Sequence, residues 1–236
     1  MTIVSICQNA LKEISGFDVP NTFVGNLNET AVTTLSVLRR EGMRLRKFDW
    51  IELATEATIS TVASQEAYDK PADFRSFANV SHWDRANNLR MRGPTTPGEW
   101  QFLKGSVTGE TATIERWFRI RGQQILVHPT PPTSGEIIAY EYYSKNWIVL
   151  QSGGATAEEI ASDNDTTLLD PELLTLGVKW RFLKAKGIPW EAEYREYEDL
   201  LQTLLAQSGG SPIVRLDKDS LSDRFTNIPE QGFGLP

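Results

Sequence analysis

The chain has 236 residues, 40% of them hydrophobic and 23% charged, with a formal charge of −7 and a pI near 5.0. That length allows one large or two small globular domains with a sizeable core, and the acidic balance argues against a broad nucleic-acid-binding surface. A single cysteine, Cys7, excludes an internal disulfide, and no run of 18 apolar residues exists to span a membrane.

The N-terminus reaches Lys12 and Glu13 without the layout of a signal peptide, so no secretory leader is expected. Residues 2–15 read as an amphipathic helix: Ile3, Ile6, Cys7, Ala10, Leu11 and Ile14 share one face, Thr2 is placed to cap it and Gly16 to stop it. Cys7 on that stripe is expected to be a packing residue rather than a nucleophile, since nothing marks a lowered pKa. A second helix is expected over 27–47, with Asn26 and Glu29 as a capping-box-like start and Leu27, Ala31, Leu35, Leu38, Gly42 and Leu45 on its buried face. Its end carries Arg39, Arg40, Arg44, Arg46 and Lys47. Cations there suit the helix dipole, and as the densest basic run of an acidic chain they are also candidates for contact with a partner or DNA.

From Trp50 to Leu150 the apolar period falls from 3.6 to 2. Strands are expected at 58–62, 77–84, 88–92, 114–121, 123–128 and 135–146, with a turn at Pro71–Phe74, a helical turn at Glu99–Lys104 and a hairpin at Gly122-Gln123. Antiparallel strands in that number imply a sandwich or small barrel. Residues 151–169, rich in Ser, Gly, Ala and Asp, read as a loop. Helical signals return at Asp170, an N-cap followed by Pro171, with Leu173, Leu176, Gly177, Trp180 and Leu183 on one face and Gly187 and Pro189 beyond the end. A further helix over about 190–206 carries Tyr194, Tyr197, Leu201, Leu204 and Leu205. Ser208 to Pro212 reads as a hinge. The polar segment after it carries isolated apolar anchors, among them Ile213, Val214, Leu216, Phe225 and Phe233.

The fold class expected is therefore α+β: a helical bundle from residues 1–50 and 170–207, an inserted antiparallel β domain over 51–169, and an extended C-terminal tail over 208–236. The tail is expected to order only on assembly.

The search for chemistry is short. His82 and His128 are the only histidines, and no metal-ligand spacing, Gly-rich phosphate loop or nucleophile elbow is present. Asp163-Asn164-Asp165 hints at a calcium loop, but Leu168 stands where its glycine belongs and Leu174 where its bidentate acid belongs. No catalytic residue, cofactor site or metal site is expected. Trp100, Trp117, Tyr140, Tyr142, Tyr143 and Trp147 fit a core on at least one face or, if exposed, a sugar-binding surface.

Several stretches resemble a group of phage head-to-tail adaptor proteins, the tail tubular protein A type included. They are Phe48-Asp49-Trp50-Ile51; Ala67-Tyr68-Asp69-Lys70-Pro71-Ala72-Asp73-Phe74, where Lys70 stands in place of an apolar residue; Gly98-Glu99-Trp100-Gln101; Phe118-Arg119-Ile120; Ile125-Leu126-Val127-His128-Pro129; Tyr140 to Trp147; Asp163 and Asp165; and Leu176 to Gly187. The resemblance implies a structural protein of the virion neck, made in the host cytoplasm. It implies a homo-oligomeric ring, usually twelvefold, which binds below the portal protein, extends the DNA channel and offers a platform for a tail or nozzle protein. Genomic DNA would pass without sequence-specific binding. Two other classes stay open on the residues alone: a carbohydrate- or receptor-binding tail component that uses the strand aromatics, and a lytic or processing enzyme with convergent acids in a pocket.

Overall fold

The computed structural model describes residues 1–14, 16–78, 81–105 and 115–209. The expected tail, with Ile213, Val214, Leu216, Phe225 and Phe233, lies outside the described residues. The fold is α+β. Five α-helices are described: α1 (Ile3–Lys12), α2 (Glu29–Leu45), α3 (Pro97–Gly105), α4 (Pro171–Ala185) and α5 (Glu191–Gly209).

The chain divides into two compact units. One comprises Met1–Thr55, Asp73–Ser76 and the described residues from Tyr143 onward; the other comprises Glu56–Ala72 and the described residues of Phe77–Tyr142. Residues 143–169, expected in the β domain, thus fall with the helices.

In the helical unit α4 packs against α1, α2 and α5. Sequence pattern alone gives α4 one apolar face. In the fold Leu174, Val178 and Phe182 are buried as well as Leu173, Leu176, Trp180 and Leu183, because a helix with neighbours on several sides needs apolar residues all round. Asp170 caps α4, its Oδ1 accepting the Leu173 amide at 2.8 Å. The N-terminus of α1 is satisfied differently. Thr2 makes no side-chain cap, and the Ile3 and Val4 amides donate to the main-chain oxygens of Asp165 and Asp163. Helix α2 begins two residues later than the Asn26–Glu29 pattern suggests. Asn28 is its cap and accepts the Thr30 amide, while the Asn26 side chain accepts the amide of Asn28 in a turn. Leu27, expected on the buried face, is therefore outside the helix and 93% exposed.

Two glycines permit close helix contacts. A Cβ at Gly42 on α2 would overlap the indole of the buried Trp147, and one at Gly177 on α4 would overlap the side chain of Glu41. Residues 151–169 are more than a loop: β9 (Ile148–Val149) pairs antiparallel with both β10 (Thr156–Ala157) and β11 (Thr166–Thr167). Strands of two residues are too short for alternation to reveal. Helix α5 runs through Ser208, where a hinge was expected; the Ser208 hydroxyl accepts the Ile51 amide at 3.0 Å.

The larger sheet has eight strands: β1 (Ala54–Ser60), β2 (Ala67–Asp69), β3 (Phe74–Phe77), β4 (Trp83–Asp84), β5 (Leu89–Arg92), β6 (Arg116–Arg121), β7 (Gln124–His128) and β8 (Ile137–Ser144). Their order is β1-β8-β4-β5-β6-β7-β2, with β3 also on β8, and the sheet is barrel-like and nearly closed. It is mixed rather than antiparallel, since β5 and β6 run parallel. A parallel pair needs a long crossover, and α3 stands between the two strands in the chain. The expected hairpin at Gly122 joins β6 to β7, with Gly122 at a φ of 59° that glycine tolerates best.

Candidate functional site

The basic run at the end of α2 divides in two. Arg44 and Arg46 face inward. Arg46 Nη1 lies 2.6 Å from Glu158 and donates to the Lys145 carbonyl, and Arg44 Nη1 donates to the Tyr197 hydroxyl at 3.2 Å. Their partners come from elements more than 95 residues away in sequence, so spacing along the chain gives no sign of them. Arg39, Arg40 and Lys47 are exposed. Arg39 makes one long bond, 3.5 Å, to the Ile160 carbonyl, and Arg40 has no hydrogen-bond or ion-pair partner among the described residues.

Arg44 borders a buried polar centre. Glu41 of α2, 0% exposed, accepts from Arg181 Nε of α4 and from the Tyr197 hydroxyl of α5, with Arg44 Nη1 at 3.9 Å. Burial, with Glu41's charge and hydrogen bond beside it, raises the Tyr197 phenol far above its ordinary pKa. Glu41 is thus held by three groups on three helices, which offsets the cost of burying its charge.

The outer face of α2 has a different character. Val32 (49% exposed), Ser36, Arg39, Arg40 and Met43 (41% exposed) form a stripe at helical spacing. With Phe23, Leu35 and the Gly25-Asn26 turn they line a groove of about 470 Å³. The arginines were legible in the sequence, but the groove was not. Its signal was that Val32 and Met43 fall off the Ala31, Leu35, Leu38, Leu45 stripe and so leave apolar side chains on the outer face.

A family model described as SU10 adaptor protein matches residues 1–222. The chain belongs to the SU10 adaptor protein family. It is a structural adaptor of bacteriophage, and membership implies a place in the virion neck and interaction with portal and tail proteins. No curated protein matches the chain.

The remaining sequence candidates serve the adaptor's own architecture. Asp163 accepts the amides of Phe23 and Val24 through Oδ1 at 3.0 and 2.9 Å. Asp165 accepts those of Gln151, Ala161 and Ser162. Burial pushes the Asp165 carboxyl up, and those amides outweigh it, so its pKa lies below the usual value. The Asp163 carboxylate thus staples its segment to the N-terminal region of the helical unit, and the Asp165 carboxylate ties residues 151–165 together. No cluster of three or more potential metal ligands occurs among the described residues, and no described helix is long and apolar enough to cross a membrane. His82 is 4% exposed and stacked on Phe118, centroids 3.9 Å apart. Burial lowers its pKa to about 4, so it is a neutral core residue at pH 7. Cys7 is buried too, its thiol pushed up to about 12 by burial and by the charge of Asp163. Of the aromatics considered for a sugar-binding surface, Trp100, on α3, and Tyr140, Tyr142 and Trp147 are core residues. Trp117 and Tyr143 are half-buried, with Arg92 and Arg75 over their rings. Such burial leaves the adaptor little of the exposed aromatic platform that a sugar-binding surface requires.

Proposed function

We propose that this adaptor forms a homo-oligomeric ring, twelvefold as the resemblance implies, beneath the portal protein. There it extends the DNA channel and carries a tail or nozzle protein. The match to the adaptor family over residues 1–222 carries this reading. The helical unit supplies the body of the ring, as a bundle of the N- and C-terminal helices, and the β domain elaborates it. DNA passes without sequence-specific binding, because an acidic lumen repels it. Ile213, Val214, Leu216, Phe225 and Phe233 in the tail act as docking anchors on the portal or a neighbouring subunit, with the aromatics as the strongest contributors. The test is reconstitution with the cognate portal, imaged by electron microscopy. The full chain should add a ring of density below the portal. A chain truncated after Gln207 should stay folded yet fail to add it. A truncated chain that binds as well as the full one would remove the anchor role, and a full chain that adds no ring would remove the connector role.

A further inference from the structure

The groove on the outer face of α2 is unfilled by the described residues, and its chemistry specifies an occupant. Its floor is apolar, from Phe23 and Leu35. Its rim carries Arg39 and Arg40, and Val32 and Met43 stand half-exposed at its two ends. The stripe from Val32 to Met43 is about 16 Å long at 1.5 Å per residue. An amphipathic helix with an acidic face matches such a groove in shape and charge.

The chain carries such a face. Helix α5 has Glu191, Glu193, Glu196, Glu198 and Asp199, against Arg195 as its one cation. Two of these acids are engaged locally: Glu191 accepts the Trp190 amide, and Glu198 accepts the Tyr194 hydroxyl. Glu193, Glu196 and Asp199 have no cationic partner among the described residues, and Glu196 and Asp199 are exposed. These acids cannot serve the groove of their own subunit. Tyr197 turns toward Glu41 on the inner face of α2, and at 3.6 residues per turn Glu196 and Asp199 lie about 100° and 160° round α5 from it.

We infer that the α2 groove receives the acidic outer face of α5 from a second copy of this chain. This deepens the ring reading and rests on it. The two surfaces differ, so the contact is heterologous and runs head to tail, the arrangement that closes into rings. It also gives copies that each carry a charge of −7 a specific attraction that overcomes their general repulsion.

The experiment uses two full-length variants. Ser36→Glu/Arg40→Glu reverses the charge of the groove at two exposed positions that make no hydrogen bond or ion pair with the described residues, and Glu196→Arg/Asp199→Arg reverses the helix. Circular dichroism checks that both remain folded. Self-association is followed by sedimentation over a concentration series at low and high salt. Wild type should self-associate, less so in high salt. Each variant alone should associate at least about tenfold more weakly. An equimolar mixture should regain association, because each then offers the face the other lacks. Wild type that associates while the variants do so equally well, or while the mixture shows no rescue, overturns the pairing and assigns the groove to a different partner, with the ring reading intact. Wild type that stays monomeric at the highest concentration and low salt overturns self-association in the free protein, and with it this contact.

Discussion

Each unit of the molecule buries a carboxylate completely, and the two do so for different ends. Glu41 and Asp84 are both 0% exposed. Glu41 joins α2 to α4 and α5 through partners 140 and 156 residues away in sequence. Asp84 first serves its own turn, accepting the amides of Ala86 and Asn87, and then takes Arg116 Nε at 2.9 Å. Arg116 continues to Glu136, 20 residues on. The helical unit thus uses its charge to hold together segments that the β insertion has driven apart. The sheet unit uses its charge to hold its own turn and to brace strands over the much shorter separation from Asp84 to Arg116 and Glu136.

The strongest way to break this contrast is to remove each acid. Glu41→Ala leaves Arg181 and the Tyr197 hydroxyl without their shared acceptor and should cost about 3–5 kcal/mol, the range for breaking a buried pair. Hydrogen exchange should show α5 losing protection first. Asp84→Asn keeps an acceptor for the turn and should cost about 2 kcal/mol, the size of a hydrogen bond to a charged group. Equal losses by chemical denaturation would mean that the long-range ties carry no special weight.

Acid sharpens the contrast from the other side. His82 has a pKa of about 4 in the fold and the ordinary value of 6.5 when exposed. Between those values the unfolded chain takes up a proton that the fold refuses. The stability tied to neutral His82 is therefore fully present above pH 6.5 and lost as pH falls toward 4, by about 3 kcal/mol in all. The loss belongs to the sheet unit, where His82 sits against Phe77, Phe118 and Tyr140. His82→Phe should flatten the pH dependence of unfolding over that window; an unchanged slope would assign the acid sensitivity to other groups.

The remaining expected effect is steric. Gly42→Ala gains about 1 kcal/mol of helix propensity and loses more, since the new methyl overlaps the Trp147 indole. A net loss of about 2 kcal/mol is expected from overpacking, with a shift in Trp fluorescence. A stabilised variant would show that Trp147 moves aside freely.

What could be read from the sequence follows the same divide. The helices were legible because caps and apolar periods are local: Asp170-Pro171 opens α4, and Ala31, Leu35, Leu38 and Leu45 mark the inner face of α2. Trp180, placed on the buried face of α4 by spacing alone, is 5% exposed. The parallel pairing of β5 with β6 and the two-residue strands β9 to β11 were not legible. They depend on which distant segments meet, and alternation within a segment does not encode that. The basic run shows the limit most clearly. Five clustered cations look equivalent, but Arg44 and Arg46 are committed to Tyr197, Glu41 and Glu158, while Arg40 makes no hydrogen bond or ion pair with the described residues.

Cys7 gives the helical unit a built-in clock. It is the chain's only thiol, it is fully buried, and its pKa of about 12 leaves almost no thiolate at neutral pH. A thiol reagent can reach it only when the core around α1 opens, so the rate of labelling reports that opening, one modification per chain. Compared between free subunits and any assembled form, the same rate reads out how far assembly tightens the helical unit, with no introduced probe.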